Sequence, residues 1–154
     1  MTKRAITFRQ YLSRRGYDLR KSPGAFLGRM FLSAWAEPGF HRFWRVWNPL
    51  YGYFLFHLYR LLGGNRHKVP ATLTVFVVCG FAMHDLPVIL LTSRIQLTVT
   101  VAFLAFGLAA LSSQAVARSW GLSRWPKWLH VLLNLGLIVA GLLFGAWVQV
   151  RLVT

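Results

Sequence analysis

Residues 70–92 read PATLTVFVVCGFAMHDLPVILLT, and the fold class turns on how that stretch is taken. At about 1.5 Å per residue it reaches roughly 34 Å, enough for a hydrocarbon core of about 30 Å. Its middle carries His84 and Asp85. An ionisable group at membrane depth is costly unless it is paired or faces water, which makes it a candidate functional site. Gly80 precedes His84 by about one helical turn on the same face, which predicts open space beside the imidazole. Pro87 has no N–H for the Met83 carbonyl, which predicts a freed acceptor and a kink next to His84.

The rest of the chain agrees with a membrane setting. Of 154 residues, 56% are hydrophobic and 16% aromatic, too apolar for an ordinary soluble core of that size. The formal charge of +15 could suggest nucleic acid, but the basic residues alternate with Trp, Phe and Leu beside spanning segments, which suits anionic lipid headgroups; nucleic-acid binding is not expected. Asp18, Glu37 and Asp85 are too scattered for a paired-carboxylate hydrolase. Cys79 stands alone, and the five histidines lack metal-ligand spacing, so neither a disulfide within the chain nor a one-chain metal site is expected. The first 45 residues show no signal-peptide pattern.

Outward from residues 70–92, two further spans are expected at 95–117 and 129–150, the first rich in small residues and the second carrying Gly141 and Gly145 in GxxxG spacing. On the other side, residues 1–48 read as interfacial helices. A basic amphipathic helix falls within 1–21, a second helix is capped by Ser22 with Pro23 at its first position, and Pro38-Gly39 breaks before FHRFWRVWN at 40–48. Residues 49–62 are short for a crossing. If they do not cross, sixteen Lys and Arg lie on one side against two, Arg94 and Arg151, on the other. The positive-inside rule therefore favours a re-entrant or interfacial helix and a cytoplasmic N-terminus, in a bacterial inner membrane. The whole chain, 1–154, reads as a single all-α membrane domain, with about three transmembrane helices plus amphipathic or re-entrant helices in its N-terminal third.

Two polar points now stand out in apolar and aromatic surroundings, Asn48 in FHRFWRVWNP and His84 in VFVVCGFAMHDL, thirty-six residues apart. This pair resembles the membrane-bound O-acyltransferase (MBOAT) family. Phe43, Trp44, Arg45, Trp47 and Asn48 match that family's aromatic-Trp-Arg-x-Trp-Asn element, and Val75, Phe76, Gly80 and His84 match its buried-histidine helix. The match covers residues 40–90 and corresponds to the family's C-terminal part. The resemblance implies acyl transfer from a thioester such as acyl-CoA to a hydroxyl acceptor, with His84 and Asn48 as catalytic residues. It also implies that copies of the chain assemble, that another subunit completes the site, or that the chain is non-catalytic.

The chemistry is consistent with those residue types. A neutral imidazole in an apolar cavity can act as general base towards a hydroxyl, a contribution of about 10² to 10⁴ in rate. The Asn48 amide can donate to a developing oxyanion, worth roughly 3 kcal/mol. Trp44, Arg45, Trp47, Arg66 and Lys68 are candidate acyl-donor contacts, with the basic groups meeting CoA phosphates and the bilayer holding the acyl chain. No metal or resident cofactor is called for, because a thioester is already activated. Competing readings remain at each point. His84 can be a structural polar residue in a bundle, Asn48 can simply cap the helix starting at Pro49, and Asp85, about 100° round the helix from His84, suits a structural or lipid-facing role. His57, His67 and His130 read as interfacial. At the level of the whole chain, a non-catalytic scaffold or accessory subunit is the alternative, and a small proton-coupled transporter is a third class.

Overall fold

The computed structural model describes residues 6–153, and every regular element among them is helical. In chain order these are α1 (Phe8–Ser13), α2 (23–33), α3 (Phe40–Val46), α4 (Pro49–Leu61), α5 (Lys68–Thr92), α6 (Thr98–Ser119) and α7 (Lys127–Val153). Lys3 and Arg4, counted in the basic N-terminal segment, lie outside the described residues. Three helices are long and apolar enough to cross a membrane: α5, α6 and α7 through Leu152, at 25, 22 and 26 residues with mean hydropathy 2.0, 1.8 and 2.3. Each spans at least about 33 Å, whereas the 13 residues of α4 span about 20 Å. Large apolar side chains such as Leu90, Leu91 and Leu143 stay exposed on the outer faces of the long helices, as lipid-facing positions require.

Helix α6 is the axis of the molecule. It packs against α5 on one side and α7 on another, and α3 lies against it near its C-terminal half. The expected GxxxG pair is where α7 approaches: a Cβ on Gly145 would meet the Thr98 carbonyl and the Ala102 nitrogen, and one on Gly141 would meet the Phe106 ring. Helix α6 starts three residues later than expected, at Thr98. Ser93 ends α5 with φ 54°, and Gln149 of α7 then holds the loop, accepting from the Leu97 N–H at 2.8 Å and donating to the Ile95 carbonyl at 3.2 Å.

The N-terminal third is a shell of short, strongly capped helices. Thr7 and Gln10 form a reciprocal capping box on α1, with bonds of 3.3 and 3.0 Å, and the Ser22 hydroxyl accepts from the Ala25 N–H at the start of α2. Gly39, at φ 92°, makes the turn into α3, and Phe40 and Phe43 are fully buried against Phe106 and Trp35. These residues belong to the core rather than to a free surface. Asn134 of α7 reaches the same region. Its amide donates to the carbonyls of Trp35 (2.8 Å) and Glu37 (3.1 Å), which secures the turn before α3. His130, read as interfacial from sequence, is buried one turn away from it.

Candidate functional site

The site is built around α3. Its C-terminal end is held from outside by the α1–α2 segment, where Arg15 Nη1 donates to the Arg45 carbonyl at 2.8 Å and the Tyr17 hydroxyl donates to the Val46 carbonyl. Two carbonyls that a helix end leaves without an intrahelical partner are thereby satisfied. Trp44 and Trp47, three residues apart, then point to different places. Trp44 enters the bundle, with ring centroids 5.2, 5.4 and 5.7 Å from Phe76, Phe103 and Phe106. Trp47 turns towards Phe31, Trp35 and Phe43, at 5.4–5.6 Å.

Beside Trp44 lies a half-open cavity of about 460 Å³ between α3, α4, α5 and α6. Its wall runs along α5 from Lys68 to Cys79, eleven residues or about 16 Å. At the Lys68 end the lining is polar and cationic, with Arg15, His41, Arg45, Tyr59, Lys68 and Gln114. Towards Cys79 it is apolar, with Val75 and Phe76 of α5, Phe56 of α4 and Phe103 of α6. A second, polar basin of about 850 Å³ adjoins it through His41, Arg45 and Gln114, and adds Arg42, Arg118 and Arg124 beside Trp120 and Trp125.

His41 stands where the two spaces meet. Its backbone N–H donates to Ser113 Oγ at 2.9 Å, and its ring Nδ1 lies 3.2 Å from the same oxygen. Ser113 Oγ also lies 3.0 Å from the Ala110 carbonyl, to which it can donate; with its proton there, the oxygen accepts from an imidazole protonated on Nδ1. Burial first, and then the positive charges of Arg42, Arg45, Lys68 and Arg118, hold this imidazole below the usual histidine value, so it is neutral at physiological pH.

Of the residues singled out from sequence, Trp44, Arg45 and Lys68 line the cavity, while Trp47 and Arg66 do not. Lys68 Nζ is tied to Gln114 Oε1 at the rim. Asn48 lies half-buried at φ 41°, and its Oδ1 accepts from the Tyr51 N–H at 3.4 Å, so its side chain is occupied as the N-cap of α4. His84 is exposed on the outer face of α5 and does not line the cavity. The space expected beside it at Gly80 is filled by α6: a Cβ there would come within 2.8 Å of Thr100 Cα and 2.9 Å of Phe103 Cβ. What His84 does touch is Phe103, at 5.2 Å between ring centroids, and Phe103 is also the cavity's end wall. One aromatic ring therefore separates His84 from the cavity.

Just ahead of Pro87 the helix widens into a π-type turn over Phe81–Asp85, in which the Leu86 N–H reaches back to the Phe81 carbonyl. That turn presents Asp85 to α6, where its carboxylate accepts from the N–H groups of Val99 (3.2 Å) and Thr100 (2.6 Å) and from the Thr100 hydroxyl (2.6 Å). Sequence reading missed three residues of this region, His41, Ser113 and Asn134. His41 and Ser113 are 72 positions apart, so no local pattern joins them. Asn134 did leave a signal, as a lone amide inside an apolar span.

Among the described residues, no three His, Cys, Asp or Glu side chains gather as metal ligands. The sequence matches no family model, and no curated protein or solved structure matches the chain. Fold and site together define an all-helical integral membrane protein, with a cation-rimmed apolar cavity beside the first two of its three long helices.

Proposed function

We propose that the protein handles an acyl thioester such as acyl-CoA. The acyl chain lies in the cavity between α4, α5 and α6, and the phosphates lie on the arginines of the adjoining basin. The observation that carries this reading is the sequence of surfaces along α5: cationic at Lys68, apolar to Cys79, then Phe103 with His84 behind it. An amphiphile with an anionic head and a long chain satisfies all of these surfaces in one pose. In the reaction, His84 takes the proton of a hydroxyl acceptor and the oxygen attacks the thioester carbonyl. The C–S bond then breaks, and the imidazolium returns its proton to the leaving thiolate. Phe103 must turn aside for the two groups to meet, and a second copy or a partner membrane subunit covers the outer face that carries His84. In this reading the arginine-rich end faces the cytoplasm of a bacterial inner membrane, in contact with anionic lipids.

A second reading has its own support. Asn48 is engaged as a helix cap and His84 lies outside the cavity, as in an accessory subunit that binds an acyl lipid without transforming it. Protein reconstituted in nanodiscs with palmitoyl-CoA and a long-chain alcohol separates the two. The transferase reading expects ester formation with release of CoA, a fall of about 10² to 10⁴ in rate for His84→Ala, and unchanged palmitoyl-CoA binding in that variant. Trp44→Ala and Arg45→Gln should instead weaken binding. Full activity in His84→Ala would refute the assignment of the base, and binding without turnover would favour the accessory subunit.

A further inference from the structure

On the other side of Arg45 from the acyl cavity lies a small cleft of about 230 Å³ in which Arg14, Arg15, Arg29, Arg42 and Arg45 surround a single carboxylate, Glu37. Only one of the five is neutralised: Arg29 Nη2 pairs with Glu37 Oε1 at 3.1 Å, the one salt bridge among the described residues. Arg15 is spent on the Arg45 carbonyl and on the face of the Tyr11 ring, 4.2 Å from its centroid. The guanidinium groups of Arg14, Arg42 and Arg45 make no hydrogen bond or ion pair among the described residues. Arg29 Nε is buried without a partner.

No further carboxylate forms an ion pair with them among the described residues. Asp85 is fully engaged at the start of α6, and Asp18 accepts from the Arg20 N–H. The geometry concentrates charge deliberately. Arg42 and Arg45 share a face of α3 at i, i+3, and the turn at Gly16, φ 76°, leaves room for the Arg29 guanidinium, whose Nη2 would lie 3.3 Å from a Cβ there. An anion between these guanidinium groups would offset their mutual repulsion. Guanidinium forks are the donors that match phosphate oxygens two at a time.

We infer that this cleft is a phosphate-binding site for a phosphomonoester or diphosphate group; it shares Arg15 and Arg45 with the acyl cavity and Arg42 and Arg45 with the adjoining basin, whereas Arg14 and Arg29 line this cleft alone. The group could belong to a lipid headgroup or to a soluble phosphate compound, and both present the same oxygens to Arg14, Arg29, Arg42 and Arg45.

The test uses the full chain in neutral detergent, with inorganic pyrophosphate, dioctanoyl phosphatidic acid and dioctanoyl phosphatidylcholine as probes, read by native mass spectrometry and thermal unfolding. Phosphatidic acid, pyrophosphate or both should bind and raise the unfolding temperature, and phosphatidylcholine should not. Arg14→Gln, which alters the cleft and neither adjoining space, should weaken that binding about tenfold. Arg118→Gln/Arg124→Gln, which alters only the adjoining basin, should leave it intact. Binding of phosphatidic acid alone assigns the membrane headgroup as the source, and equal binding of pyrophosphate assigns a free phosphate group. In the unmodified protein, the bound probe should also protect Arg14 from phenylglyoxal, as mapped by peptide mass spectrometry. Binding unchanged in Arg14→Gln, absence of binding by either anionic probe, or protection of Arg118 and Arg124 without Arg14 would overturn the inference.

Discussion

The two faces of α5 at its wide turn are opposite in kind. On the inner face Asp85 is 1% exposed and accepts three hydrogen bonds from the first turn of α6. On the outer face His84 is exposed and meets only an aromatic ring. Adjacent polar residues at the same membrane depth thus have different explanations. The carboxylate is explained from within the chain, because it does for α6 what an N-cap does for any helix and adds a negative charge at the positive end of the helix dipole. The imidazole is not explained from within, and its meaning depends on what lies against the outer face.

The sharpest way to break this contrast is to remove the inner partner. Asp85→Ala leaves two half-buried backbone N–H groups and a hydroxyl without their acceptor, and should cost about 2–4 kcal/mol in denaturant unfolding in detergent. Asp85→Asn keeps one acceptor oxygen and should recover part of that loss. Next in size is Gly80→Leu, which drives a side chain into Thr100 and Phe103 and should cost about 1–3 kcal/mol while separating α5 from α6, measurable as increased proteolysis of the 93–97 loop.

A smaller effect probes His41, a polar group outside the long helices. Its folded-state pKa is lowered, so the unfolded chain binds a proton more readily than the folded one does. The stability due to neutral His41 should therefore be complete above about pH 6.5 and be lost as pH falls from there through the folded value. The slope of unfolding free energy against pH in that window should flatten in His41→Gln. Smallest of all, His84→Ala should change stability by no more than about 0.5 kcal/mol, because the side chain is exposed and its one contact among the described residues is the Phe103 ring. A large loss would mean that His84 is structural after all and would erase the distinction between the two faces.

Much of the architecture was legible because it rests on local chemistry. The three apolar runs, the Ser22–Pro23 start of α2, the Pro38-Gly39 break and the GxxxG face of α7 each follow from residues a few positions apart. The beginning of α6 was misplaced because it is set by Gln149 and Asp85, distant side chains that decide where a loop stops. The candidate site was read only in part for the same reason. Trp44, Arg45 and Lys68 could be selected by type, but whether a tryptophan three residues on faces the cavity or the aromatic core depends on how α3 seats against α6. Gly80 shows the limit most directly, since a missing side chain can mean room for a ligand or room for a neighbouring backbone.

The seat of α3 also has a consequence for biosynthesis. Phe40 packs on Phe106, and His41 is anchored to Ser113, 72 residues downstream. At about 5–20 residues per second, roughly 4 to 15 s pass between synthesis of α3 and arrival of its binding surface. Through that interval the side of α3 that carries Phe40 and Trp44, whose partners are Phe76, Phe103 and Phe106, has no intramolecular home, and the lipid headgroup layer is the environment that can shelter it.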